Sequence, residues 1–119
     1  MSVEQFNVFN EVLDFNLKRR LLSKGYKETK ELAMILSELV ELLESDDFEA
    51  KVDGYADAIV FAIGAIAKLG YDPEGILYEV CTHINSEVGG NFDEEKQKYI
   101  KGIRQYKTNF SRHKIIKED

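Results

Sequence analysis

Ten consecutive residues, Ala58-Ile59-Val60-Phe61-Ala62-Ile63-Gly64-Ala65-Ile66-Ala67, carry neither a charge nor a hydrogen-bonding side chain. Wound into a helix at 3.6 residues per turn, they present apolar atoms in every direction. A helix of that kind must be covered all round. A bilayer is not the cover, since spanning one takes about 20 such residues. The chain has 119 residues and 13.7 kDa, room for one compact domain. So short a chain can hardly wrap the helix alone, and a homo-oligomer, dimer or tetramer, is expected, with this helix against a partner subunit.

Composition narrows the class. Apolar residues make up 44% and charged residues 32%, the balance of a folded domain and not of a disordered or membrane chain. The net charge of −6 argues against a duplex nucleic acid or an anionic membrane as partner, because both need a positive field. Cys81 is the single cysteine and has no internal disulfide partner, which suits a reducing cytoplasm. The opening Met1-Ser2-Val3-Glu4-Gln5 is polar and does not read as a secretory signal. The expectation is a cytoplasmic, all-α single domain over residues 1–119, with 108–119 a mobile tail.

Punctuation divides the chain into helices. Ser2 and Gln5 read as a capping box opening a first helix near residues 3–22, with a weak point at Asn16 and a glycine stop at Gly25. A second helix is expected over 29–44, with Leu32, Ile35, Leu36, Leu39, Leu42 and Leu43 on one arc and Glu31, Glu38, Glu41 and Glu44 away from it. Asp46 or Asp47 caps a third helix over 48–69. Gly70, Asp72 and Pro73 mark a stop, a cap and a first helical residue. The fourth helix then runs to about Val88, ended by Gly89-Gly90. Residues 91–119 read as a short helix or ordered loop and then the tail. Cys81 is expected as a small buried apolar residue and His83 as structural, since no second His or Cys stands at ligand spacing.

Two pairs of acids carry the chemistry. Glu38 and Glu41 stand three residues apart, and Asp53 and Asp57 four apart, each pair on about one helical face. Antiparallel packing of the second and third helices across Ser45–Asp47 turns both pairs toward one point. Converging carboxylates suit magnesium, or manganese, which take octahedral oxygen ligands. Acids away from a leucine arc are ordinarily just a wetted face. Asp57 weighs against that, for it sits at the edge of the apolar run and needs a cation or strong donors there. Lys51 and Lys68 are the flanking alternatives.

The run Ser37-Glu38-Leu39-Val40-Glu41, followed by Asp53-Gly54-Tyr55-Ala56-Asp57-Ala58-Ile59-Val60-Phe61, resembles the all-α nucleoside triphosphate pyrophosphohydrolases, which include the MazG proteins and the phosphoribosyl-ATP pyrophosphohydrolases. Leu69-Gly70-Tyr71-Asp72-Pro73, Asn91-Phe92-Asp93-Glu94 and Lys101-Gly102 extend the likeness over roughly residues 28–107. Two positions depart from the pattern: Ser37 stands where many members have a further glutamate, and Gly54 where the second acidic pair has its glutamate. The resemblance implies a four-to-five-helix MazG-like bundle completed by oligomerisation. It implies magnesium-dependent hydrolysis of a nucleoside triphosphate, a deoxynucleotide foremost, between the α- and β-phosphates. Glu38, Glu41 and Asp57 would be metal ligands, with Asp53 a fourth ligand or the base. Lys98, Lys101 and Arg104 are candidates to meet phosphates, Asn85 to bond sugar or base, and Tyr106 to stack on a base. Phosphoribosyl-ATP hydrolysis and a catalytically weak, nucleotide-binding helical dimer are the competing readings.

Overall fold

The computed structural model describes residues 1–115; the end of the expected tail, 116–119, lies outside them. The chain divides into two compact units, 1–73 and 74–119.

The first unit holds three helices, α1 (Val8–Lys18), α2 (Glu28–Glu44) and α3 (Phe48–Lys68), with α3 packed against both others. The Ser2–Gln5 pair is made, Ser2 N donating to Gln5 Oε1 at 3.1 Å, yet it opens only a 3-10 turn over Val3–Gln5. The true start is Asn7, whose side chain accepts from Asn10 N at 3.1 Å. Asn16 does not break α1: its Nδ2 turns back to Val12 O at 2.8 Å, and it lies buried against Gly64 of α3. The helix stops at Lys18, earlier than expected, because Arg20 takes a left-handed φ of 57° that the sequence points to only at Gly25. Asp47 caps α3, accepting from Glu49 N at 3.2 Å, and Gly70, at φ 94°, ends it.

α2 turns only one edge of its leucine arc inward, the edge that carries Ile35 and Leu42. The residues buried on it are Glu31 and Leu42, with Ile35 and Glu38 half-buried between them. These recur at four, three and four residues, one continuous face turned into the unit. Leu32, Leu36, Leu39 and Leu43 are exposed, Leu43 by 86%. α3 repeats the pattern: Phe48, Val52, Tyr55 and Ile59 are exposed at the same spacing, whereas Ile63 is only 2% exposed. The buried apolar side chains of the three helices are Val12, Leu42, Ile63 and Ala67. The unit is thus thinly cored, with two apolar stripes turned to the outside.

α4 (Pro73–Asn85) starts at Pro73, the last residue of the first unit, and otherwise belongs to the second. Beyond Asn85 the chain departs from the all-α expectation. Four short strands, β1 (Glu87–Val88), β2 (Asn91–Asp93), β3 (Lys98–Ile100) and β4 (Ile103–Arg104), pair as β2–β3 inside β1–β4, both antiparallel. The molecule is mostly helical, with short strands in place of a fifth helix. Gly89-Gly90 is part of this hairpin and does not merely end α4. A Cβ on Gly102 would press on the Val88 carbonyl and Gly90 N, so the ladders approach too closely there for a side chain. No helix of the described residues is long and apolar enough to cross a membrane.

Candidate metal centre

Because the inward face of α2 carries Glu38 and the apposed face of α3 carries Asp57, the two acidic pairs meet. Glu38, Glu41, Asp53 and Asp57 line one cleft of about 200 Å³, closed by Leu42, Ser45 and Gly54 beside the α2–α3 turn. Glu38 and Asp57 are half-buried, Glu41 and Asp53 exposed. Burial, and after it the negative charges of Glu41, Asp57 and Asp53, pushes the Glu38 carboxyl above its ordinary 4.5. Glu38 therefore feels the other three acids across the cleft.

Neither flanking lysine serves Asp57. Lys51 Nζ donates to the Leu42 carbonyl at 2.8 Å, capping the end of α2, and Lys68 pairs with Glu31 at 2.6 Å. Among the described residues Asp57 has neither a hydrogen-bond donor nor an ion pair from a side chain. An all-oxygen set of this kind fits a hard divalent cation such as magnesium or manganese. Among the described residues, no three of His, Cys, Asp and Glu are already drawn together at ligating range. The acids share a cleft and would have to swing inward onto an ion.

The two departures from the family pattern have distinct settings. Gly54 is buried, and a Cβ there would lie 2.8 Å from Leu42 Cδ2. A glutamate at this position has no room while Leu42 fills the crossing. Ser37 lines a shallow groove with Lys30, Ala33, Met34, Glu38 and Phe61, beside the acidic cleft.

The remaining candidates belong to the second unit. Asn85 is the exposed last residue of α4, and Lys98 and Lys101 are exposed on β3 and just after it. Arg104 Nε lies 3.5 Å from Glu87 Oε1, an ion pair too long for a hydrogen bond. Tyr106 is occupied: its hydroxyl donates to Glu79 Oε1 at 2.8 Å, and its carbonyl lies 2.7 Å from His83 Nδ1. Cys81 is exposed, which corrects its reading as a buried apolar residue.

Two acids escaped sequence reasoning. Glu79 is wholly buried and takes hydrogen bonds from Tyr106, from Asn109 N at 2.7 Å, from Arg112 Nε at 3.0 Å and Nη2, and from His113 Nε2 at 2.8 Å. Those donors hold its carboxyl down at about 2 against the opposing pull of burial. They also tie residues 106–113, which overlap the start of the expected mobile tail at 108, to α4. The signal was available, since Glu79 stands three residues after Ile76 and one before Val80, on the inner face of α4. Glu31 is the second, buried with Lys68 and seven residues before Glu38, hence on the same face.

No model of a known protein family matches the chain, and no match is found among the curated proteins or among the solved structures.

Proposed function

We propose that the protein is a magnesium-dependent nucleoside triphosphate pyrophosphohydrolase, releasing a nucleoside monophosphate and pyrophosphate. The observation that supports this most is the shared cleft of Glu38, Glu41, Asp53 and Asp57, with Glu38 half-buried on the inward face of α2. Glu38, Glu41 and Asp57 would hold the metal. When bound, a divalent ion supplies charge neutralisation of the triphosphate and a water of lowered pKa. Asp53, which is exposed, would ligate as well or take the proton of the attacking water. Burial, and after it the neighbouring acids, raises the Glu38 carboxyl, so protons compete with a cation for it and the cleft would load more readily as pH rises. An acidic protein has little other means of holding a polyanion at this cleft.

The exposed stripes of α2 and α3 support a homo-oligomer, dimer or tetramer, in which these stripes are covered by a second copy. A cytoplasmic setting belongs to the same reading. The competing function, a nucleotide-binding helical dimer of weak activity, draws on Gly54, where the family's glutamate is replaced by a contact with Leu42.

Pyrophosphate release from a panel of ribo- and deoxynucleoside triphosphates, with magnesium and then with EDTA, tests the proposal. Turnover that EDTA abolishes is the expected result. Turnover indifferent to chelation rejects the metal, and binding without turnover of any triphosphate favours the weak dimer.

A further inference from the structure

At the opposite end of α2 from the acidic cleft lies a cavity of about 300 Å³ lined by Lys24, Lys27, Lys30, Lys68 and Glu31, with Leu21 and Gly25 completing its wall. Four ammonium groups against one carboxylate make it a positive pocket in a chain whose net charge is −6. Like charges gather at a cavity only at an electrostatic cost, which a bound anion relieves. The pocket also has donors to spare. Lys68 Nζ, on a side chain only 8% exposed, has one acceptor among the described residues, Glu31 Oε1 at 2.6 Å. An ammonium has three N–H groups, so two remain on a nearly buried lysine that lines the cavity. α2 begins here, after Lys27, without a side-chain cap, and its first amides add donors and positive potential.

The geometry points to this cavity as a binding site for a small phosphate-bearing anion, of the size of inorganic pyrophosphate. Its Lys30 stands eight residues from Glu38, about 12 Å along the helix axis, and the cavity shares no lining residue with the acidic cleft. The site is independent of the proposed hydrolysis: the lysines recognise the anion without a divalent ion.

Calorimetric titration of the full chain with inorganic pyrophosphate in EDTA tests it. One saturable site per chain is expected, weakened at least tenfold in the Lys24→Glu/Lys27→Glu double variant and unchanged in Asp57→Asn. Both lysines are exposed, so the fold should tolerate the change; Lys24→Gln/Lys27→Gln gives the same expectation with less charge reversal. Absence of saturable binding to the native chain overturns the proposal, as does full-strength binding to both double variants. Binding that appears only with magnesium, or that Asp57→Asn removes, also overturns it, by placing the anion at the acidic cleft.

Discussion

Gly54 and Leu42 meet where α3 crosses α2, so closely that a Cβ on the glycine would stand 2.8 Å from Leu42 Cδ2 and 3.0 Å from its Cγ. The missing side chain lets the acidic cleft form beside the crossing. Gly54→Ala should gain up to about 1 kcal/mol of helix propensity and lose about 1–3 kcal/mol to overpacking, for a net loss of stability. Gly54→Glu, which supplies the glutamate of the pattern that the sequence resembles, should cost more than Gly54→Ala and should not raise turnover unless Leu42 is also cut back. Urea unfolding of both variants, with pyrophosphate-release assays on Gly54→Glu and Gly54→Glu/Leu42→Ala, checks the pair.

Asp57→Asn keeps the shape of the side chain and removes its charge. Turnover should fall on the order of 100-fold or more, since even an outer partner of a metal ligand is worth 10–100-fold. Helical circular dichroism should be unchanged. Near-native turnover would remove Asp57 from the site.

Glu38→Gln should raise the melting temperature while abolishing metal binding. A carboxyl held above its ordinary value takes up more protons folded than unfolded, so its ionisation opposes folding. Its neutral substitute is released from that repulsion. Thermal melts without metal at pH 7 check the sign: the variant should melt higher, and its advantage should shrink toward acid, where Glu38 is itself protonated.

Lys68 and Glu31 are each nearly buried, so neither tolerates losing the other. Lys68→Met should cost about 3–5 kcal/mol by stranding a buried carboxylate, whereas Lys68→Met/Glu31→Leu should recover most of it. Chemical denaturation of the two single variants and the double variant measures the coupling.

Glu79 makes an acid-labile clasp. Its folded value of about 2 lies below the ordinary 4.5, so its stabilisation is complete above about 4.5 and is lost as pH falls toward 2. The Asn109 amide, which donates to Glu79, should lose exchange protection over that interval relative to amides in α3. Glu79→Gln should remove most of the pH dependence.

The helical pair and its acids were legible because spacing alone sets which side chains share a helical face. Glu38 with Glu41, and Asp53 with Asp57, needed only the turn at Ser45–Asp47 to face each other. Periodicity could not say which neighbour takes the apolar arc: Leu32, Leu36, Leu39 and Leu43 are as regular on the outside of the unit as in a core. The hairpin was hidden for a different reason. Strands of two and three residues, such as Glu87–Val88 and Asn91–Asp93, are too short to display alternation, and Gly89-Gly90 reads equally well as a helix stop. Glu79 was missed because its donors come from residues 27 to 34 positions downstream, a relation that no local pattern encodes.

The thin core of the first unit carries a consequence for how the protein would behave at low abundance. If a second copy covers these leucines, as proposed, folding of the helical pair is tied by mass action to meeting that copy. Dilution would then loosen α2 and α3 together, and the acidic cleft lies between these two helices. Specific activity should fall with enzyme concentration at fixed substrate, so the amount of protein present would itself set how well each molecule works.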